Sequence, residues 1–390
     1  FKTILIDSVP PDVKIISLKA KSRFSPTKWG YEVWGQEHDE VQRILKIETD
    51  EGSEGFFTGD NMYLVAPTQE VIEQLVKPLL IGEDPLNREL LWQWMMGHHG
   101  ISEAVIGAVD CALWDLAGRS AGVSVAQLLG GYRDKVKAYA SSAPNLGSPE
   151  VYAAHAVEMK KRGYTAYKTH ANIYWNPEKK EPAPAKPAFP KADIEICRAV
   201  RDAVGDDMVL MLDPYGVYTF EESLYVGREV EKLDFYWLEH PMDERKTEPY
   251  RKLSEALDIA ILGPETEPGS LYSRAEWAMQ HASDMGRIDT SFGGITGVRK
   301  ALGFYESIGM QCELEYVGFS NLALFGSTSE ETCEYYERGL LRPEEDYDSI
   351  VPPHLKQPCD PMDENGFVSI PQGPGLGFEF DWDYVSANLV

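Results

Sequence analysis

The chain is 390 residues long, with 43% apolar and 26% charged residues, enough for a sizeable globular core and too long for one average domain. Its 63 acids against 37 Lys and Arg give a net charge of −26, which repels nucleic acid and anionic membranes, so neither is expected as a partner. No apolar run reaches the length of a membrane span, and five scattered cysteines without a CxxC pair argue against a disulfide scaffold or structural zinc and point to a reducing cytoplasm.

From the N-terminus, no charged region precedes an apolar core and cleavage site, so no secretory leader is expected among these residues. Val13–Ala20 and Val41–Glu48 alternate like strands, the second ending at the turn Asp50-Glu51-Gly52. Ser22–Asp39, rich in Arg, Lys, Trp and Gly without a clear period, reads as a long loop. After Pro67 the pattern turns helical, and Ile101–Leu129 carries an apolar stripe through Val105, Ala108, Ala112, Trp114 and Leu116. Residues 1–134 thus form an α+β segment.

From Lys135 the rhythm becomes strand, helix, strand. Val136–Ser141, Ala166–His170, Met208–Asp213, Phe235–Glu239, Ile259–Leu262, Arg287–Thr290 and Met310–Glu315 read as short strands. Amphipathic helices such as Ala192–Val204, Phe220–Lys232 and Arg274–His281 separate them. Seven or eight such repeats over residues 135–360 imply a closed parallel barrel, an α/β architecture. Asn172–Pro190, rich in Pro and Lys, reads as an ordered excursion over the barrel mouth. The tail, residues 361–390, is Gly- and Pro-rich and reads as a strand pair returning to the first domain.

Acids stand at the strand ends at a regular step. Glu239 follows Asp213 by 26 residues and Glu265 follows Glu239 by 26; Asp289 comes 24 later and Glu315 another 26. One strand-loop-helix unit takes about this length in a barrel of some 250 residues, so each acid faces the common mouth where barrel active sites lie. A single acid there would be an N-cap or a loop residue. Several converging carboxylates repel one another unless a hard, oxygen-loving divalent cation joins them, and Mg²⁺ is the natural choice. Lys168 and His170, two apart in AYKTHAN, face the same side of their strand and point into that mouth. A desolvated pocket beside a metal would lower the lysine pKa.

On these residues the chain resembles the enolase superfamily, and within it the mandelate racemase subgroup. Asp110–Gly131 (DCALWDLAGRSAGVSVAQLLGG) is similar to the signature that ends the family's capping domain, and NGFVSIPQGPGLGFEFDWD to its C-terminal closure. The resemblance implies a modified TIM barrel, (β/α)7β, with an α+β capping domain formed by the N-terminal segment and the C-terminal tail. It implies Mg²⁺ held by Asp213, Glu239 and Glu265, with Lys168 opening a Lys-x-Lys-type motif. The shared half-reaction is removal of the proton next to a carboxylate to give an enediolate. In members acting on sugar acids, loss of a β-hydroxyl follows and yields a 2-keto-3-deoxy acid. Homo-oligomers are also implied.

The chain departs from that pattern twice. His170 stands where the second lysine belongs, and Glu315 where a histidine often pairs with the aspartate that Asp289 matches. The expectation is therefore His170 as the base, with Lys168 holding the substrate carboxylate. Tyr215 is a candidate acid on the opposite side, and Glu313 and Glu315, both inward by strand period, are candidates for hydroxyl binding or acid chemistry. Arg23, Trp29, Trp34 and His38 on the early loop would suit a polyol substrate, whereas His240, next to a ligand but facing away, reads as structural. The leading reading is a sugar-acid dehydratase, a hydro-lyase. The rival is a cycloisomerase that opens an anhydro sugar acid or lactone, followed by a racemase or epimerase and, from another class, a catalytically idle sugar-acid binding module.

Overall fold

The computed structural model describes residues 11–26, 32–59, 66–183, 185 and 188–390, the side chains of 22–26 and 32–37 excepted. Strand β1 (Asp12–Pro26) pairs antiparallel with β2 (Glu32–Glu48), from Asp12↔Glu48 to Pro26↔Glu32, and β3 (Glu54–Phe57) adds to β2. Most of the stretch expected as a loop at Ser22–Asp39 is therefore strand, with one irregularity between Ser22 and Phe24. Backbone pairing is blind to side chains, and alternation is imposed only where one face packs on a core. At Asp39, Glu40 and Val41 successive residues are all exposed, so both faces are open and no period is written there.

Helices α1 (Gln69–Val71) and α2 (Lys77–Leu80), joined by a π-helical turn, lead to α3 (Arg88–Met96), α4 (Glu103–Ala121) and α5 (Val125–Leu128). Ser102 caps α4 through the Val105 N–H, and Gly122, at φ 69°, ends it. The expected stripe is too narrow: every residue from Ile106 to Gly118 is buried. The helix is wrapped, with β3 on one side and a barrel helix on the other.

The barrel alternates β4 (Lys135–Ser142), α6 (Pro149–Lys161), β5 (Ala166–Thr169), the small hairpin β6 (Trp175–Asn176) and β7 (Glu181–Pro182), α7 (Pro190–Val204), β8 (Val209–Leu212) and α8 (Phe220–Glu231). It continues with β9 (Phe235–Glu239), α9 (Thr247–Ala256), β10 (Ala260–Leu262), α10 (Ser270–Met279), β11 (Gly286–Ile288), α11 (Gly294–Ile308), β12 (Cys312–Leu314), α12 (Phe319–Phe325) and β13 (Tyr335–Leu341). Parallel pairs run β13–β4–β5–β8–β9–β10 and β11–β12. The bridge Leu262↔Met285 and the bond from Cys312 N–H to the Thr332 carbonyl close the circle. The eighth strand, β13, was not among those expected, and among the described residues only a short 3-10 turn (Tyr347–Ser349), no α-helix, follows it before the tail, which gives the (β/α)7β arrangement.

Below the mouth, Tyr139, Ala166, Met211, Trp237, Leu262, Met285 and Tyr335 fill the barrel as a packed core. The tail departs from expectation in one respect: β14 (Phe367–Ser369) pairs antiparallel with β4 of the barrel rather than with the cap. Only beyond it does the chain reach the cap, where Leu376 N–H meets Asp115 and α13 (Trp382–Ala387) leads to the bridge Leu18↔Leu389. None of the five cysteines is in a disulfide, and no described helix is long and apolar enough to cross a membrane.

Candidate active site

The strands of the barrel end together, so their C-terminal residues form one ring of side chains. Asp213 follows β8, Glu239 closes β9 and Glu265 lies just past β10, all buried, with one oxygen from each within 4.8 Å of the others. Three buried carboxylates this close suit a hard divalent cation.

Cationic groups meet each of them. His170 Nε2 lies 2.9 Å from Asp213, Lys168 Nζ is 3.0 Å from Glu239, and His240 Nδ1 is 2.9 Å from Glu265. Burial alone would raise the Asp213 pKa, but His170 and Lys168 outweigh it and hold the carboxyl well below its usual range. Burial would lower Lys168, but Glu239 and Glu337 reverse this and hold its ammonium well above the usual lysine value. The expected depression of Lys168 was for an amine beside a bound metal; the carboxylates that surround the amine act in the opposite direction.

His170 is fixed at both ring nitrogens. Its Nδ1 is 2.7 Å from the Ser142 carbonyl, which can only accept, so Nδ1 carries the hydrogen and Nε2 faces Asp213 and the mouth. Its backbone N–H donates to Ser142 Oγ at 3.0 Å, which sets the end of β5 against β4.

Across the mouth stand Asp289 and Glu315. Burial raises the Asp289 pKa; one of its carboxylate oxygens accepts from Ser291 N–H, and the other is buried without a partner. Burial, then the charges of Glu265 and Asp289, push Glu315 well above the carboxylate range, and it shares a hydrogen bond with Glu265. Asn321 Nδ2 ties down the Glu315 carbonyl.

Tyr215 is not on a strand, since β8 ends at Leu212; it sits in a turn at φ 58°, its N–H on Asp213 at 2.7 Å and its ring 6.0 Å from that of His240. Glu313 points inward, as expected, but away from substrate reach: its carboxylate accepts the N–H groups of Glu334 and Tyr335, where the chain enters β13. A buried acid that satisfies two backbone donors serves the strand and not a ligand. His38 is half-buried on the cap hairpin, in register with Ser22. Arg23 has its backbone in β1, its side chain outside the described residues, as is that of Trp34; Trp29 lies outside them altogether.

Four residues at the site were missed. Glu337, on β13, pairs with Lys168 at 2.8 Å, and it continues the acid ladder 22 residues after Glu315. Arg287 stands two before Asp289, so the rule that paired Lys168 with His170 also turns it inward, onto Glu239 at 2.7 Å. His240 faces the site because its φ is 39°, a turn that alternation does not foretell. Burial would lower its pKa, but Glu244 and Glu265 raise it to about 10. Glu244, in the following loop, accepts Glu265 N–H at 2.7 Å and so places that acid.

The C-terminal part of the chain, residues 151–384, matches the family model described as enolase C-terminal domain-like, and residues 23–130 match the mandelate racemase / muconate lactonizing enzyme N-terminal domain. Arabinonate dehydratase of Saccharolobus solfataricus is 30% identical over 88% of this chain and 89% of its own length. D-galactarolactone cycloisomerase of Agrobacterium fabrum is 27% identical, over 87% and 89%. The crystal structure of D-glucarate dehydratase from Agrobacterium tumefaciens complexed with magnesium superimposes with a TM-score of 0.88 and 39% identity, over 98% of this chain and 99% of that one.

Proposed function

The chain belongs to the mandelate racemase / muconate lactonizing enzyme family of the enolase superfamily, and from that premise we propose that it is a Mg²⁺-dependent sugar-acid dehydratase. The observation that carries this reading is the buried trio Asp213, Glu239 and Glu265 with Lys168 and His170 at the neighbouring strand end. The trio would hold Mg²⁺, which supplies positive charge as negative charge builds on the substrate carboxylate. Lys168, kept as an ammonium, binds that carboxylate. His170 takes the α-proton at Nε2 in its neutral form, whose single hydrogen sits on Nδ1 toward the Ser142 carbonyl. Glu315, across the mouth, gives its proton to the departing β-hydroxyl, which leaves as water; burial, then the charges of Glu265 and Asp289, favour the protonated form of that carboxyl. Tyr215 is the second candidate donor. The product is a 2-keto-3-deoxy acid.

A second reading, a cycloisomerase that expels a ring oxygen by the same chemistry, draws on Glu315 in place of a histidine and on the likeness to D-galactarolactone cycloisomerase. A racemase would need matched bases on both faces, and acids alone are described across from His170. We place the protein in the cytoplasm as a homo-oligomer acting on a small sugar acid, in keeping with cysteines that form no disulfide. ¹H NMR in D₂O with Mg²⁺, against aldonic, aldaric and anhydro sugar acids, tests the proposal. A keto-deoxy product from an open-chain acid supports the dehydratase, and the same product from an anhydro acid or lactone transfers the assignment to the cycloisomerase. No α-proton exchange across the panel, with Mg²⁺ bound, removes the sugar-acid reading.

A further inference from the structure

Just beneath the mouth, four charged side chains close a ring. Lys168 Nζ lies 3.0 Å from Glu239 Oε2 and 2.8 Å from Glu337 Oε1. Arg287 Nη2 donates to Glu337 Oε2 at 2.5 Å, and its Nε lies 2.7 Å from Glu239 Oε1, an ion pair without hydrogen-bond geometry that leaves both of these buried atoms without a hydrogen-bond partner. Each carboxylate gives one oxygen to each cation, so the ring is neutral, and all four groups are at most 3% exposed. They come from β5, β9, β11 and β13, the second, fourth, sixth and eighth strands of the barrel.

That origin identifies the ring as one interior layer of the barrel, where four side chains from alternate strands meet and bulky apolar residues are usual. Burying four charges there is a poor way to gain stability, because desolvation offsets most of the attraction and apolar side chains of similar volume do as well or better. What the ring does supply is direction. Arg287 is a rigid planar donor that stays charged, and it is pinned further by the Leu314 carbonyl at 3.0 Å and the Tyr139 hydroxyl at 3.3 Å. Glu337 is pinned by Tyr316 N–H at 3.0 Å. The other two members, Lys168 and Glu239, are the ones that face the mouth.

We propose that Arg287 and Glu337 are positioning residues, which through this closed ring hold Lys168 and Glu239 at the mouth as one preorganised unit. The proposal rests on the metal and substrate roles given to those two residues above. Arg287 fixes Glu239 from below, and Glu337 keeps Lys168 in place from the side away from the trio.

The test uses the full chain as Arg287→Met, Glu337→Gln, the double variant Arg287→Met/Glu337→Gln, and Arg287→Lys, each checked for fold by circular dichroism. The double variant removes one charge of each sign and so avoids the uncompensated charge that could unfold either single variant. Mg²⁺ binding, measured calorimetrically with the metal alone, is expected to weaken about 10- to 100-fold in the double variant, with partial recovery in Arg287→Lys. A folded double variant that binds Mg²⁺ as tightly as the wild type overturns the proposal. If the wild type itself binds no Mg²⁺, the metal assignment fails, and the ring is judged by unfolding midpoints. The double variant melting above Arg287→Met then supports a coupled ring, and simply additive losses overturn it.

Discussion

At the scale of single residues, His170 bears the sharpest expectation. With Nδ1 committed to Ser142, removal of Nε2 basicity leaves no described histidine in its place on that face. His170→Asn is expected to slow α-proton exchange by roughly 10²- to 10⁴-fold while Mg²⁺ still binds. Ordinary exchange rates in that variant, followed by NMR in D₂O, would rule out His170 as the base. The trio makes a second prediction. Mg²⁺ at 100 times its dissociation constant should stabilise the fold by about 2.7 kcal/mol, seen as a higher melting temperature, and Glu265→Gln should shrink that gain. A third concerns His155, on α6, whose Nδ1 is 2.9 Å from the Tyr167 hydroxyl. Burial, then Arg162, lowers its pKa to about 4 from the usual 6.5. The unfolded chain therefore binds a proton that the native state refuses between those values. Its contribution is complete above pH 6.5 and is lost as pH falls toward 4, by about 1.4 kcal/mol per unit. His155→Phe should flatten the acid side of a melting-temperature profile; an unchanged slope would show that His155 does not set it.

At the scale of elements, α4 decides how cap and barrel meet. Asp110 accepts from Thr296 N–H and hydroxyl on α11, and Trp114 Nε1 donates to the same hydroxyl at 2.9 Å. Asp115 takes Phe56 N–H from β3, Leu376 N–H from the tail and the Arg119 guanidinium. The sequence marked this helix as amphipathic, yet Asp110 and Asp115 are buried too, each matched to groups of β3, α11 or the tail that sequence spacing does not name. The approach of β3 is closer than a side chain permits: a Cβ on Gly55 would stand 2.3 Å from the Ala112 carbonyl oxygen. Gly55→Ala should therefore push the strand off the helix and cost about 1–3 kcal/mol or more in chemical denaturation. A neutral result would mean that β3 yields easily. Strands β4, β5 and β8 to β12 were legible as short apolar runs, those from β8 on leading to an acid, whereas β13 (YYERGLL) mixes charges and a glycine and hid the eighth strand.

At the scale of the whole molecule, the tail fastens the two parts. Phe378 and Phe380 pack ring against ring at 5.3 Å, and Phe380 meets Phe56 of the cap at 5.1 Å. Phe380→Ala should cost about 3–5 kcal/mol and lower the unfolding midpoint. If the cap melted separately and the barrel kept its midpoint, the tail would not be the joint inferred here.

The sequence by itself determined the alternation that closes a barrel, the face on which Lys168 and His170 lie, and the acids that gather at its mouth. These follow from local periodicity, which a strand or helix imposes on its own residues. Only the tertiary structure decided that Glu313 serves the backbone of β13, that His240 turns into the site, that Lys168 is held charged, and that Arg287 and Glu337 close a ring with it. Each depends on which groups become neighbours across the barrel, and the charge, burial and hydrogen bonding of a side chain are properties of those neighbours.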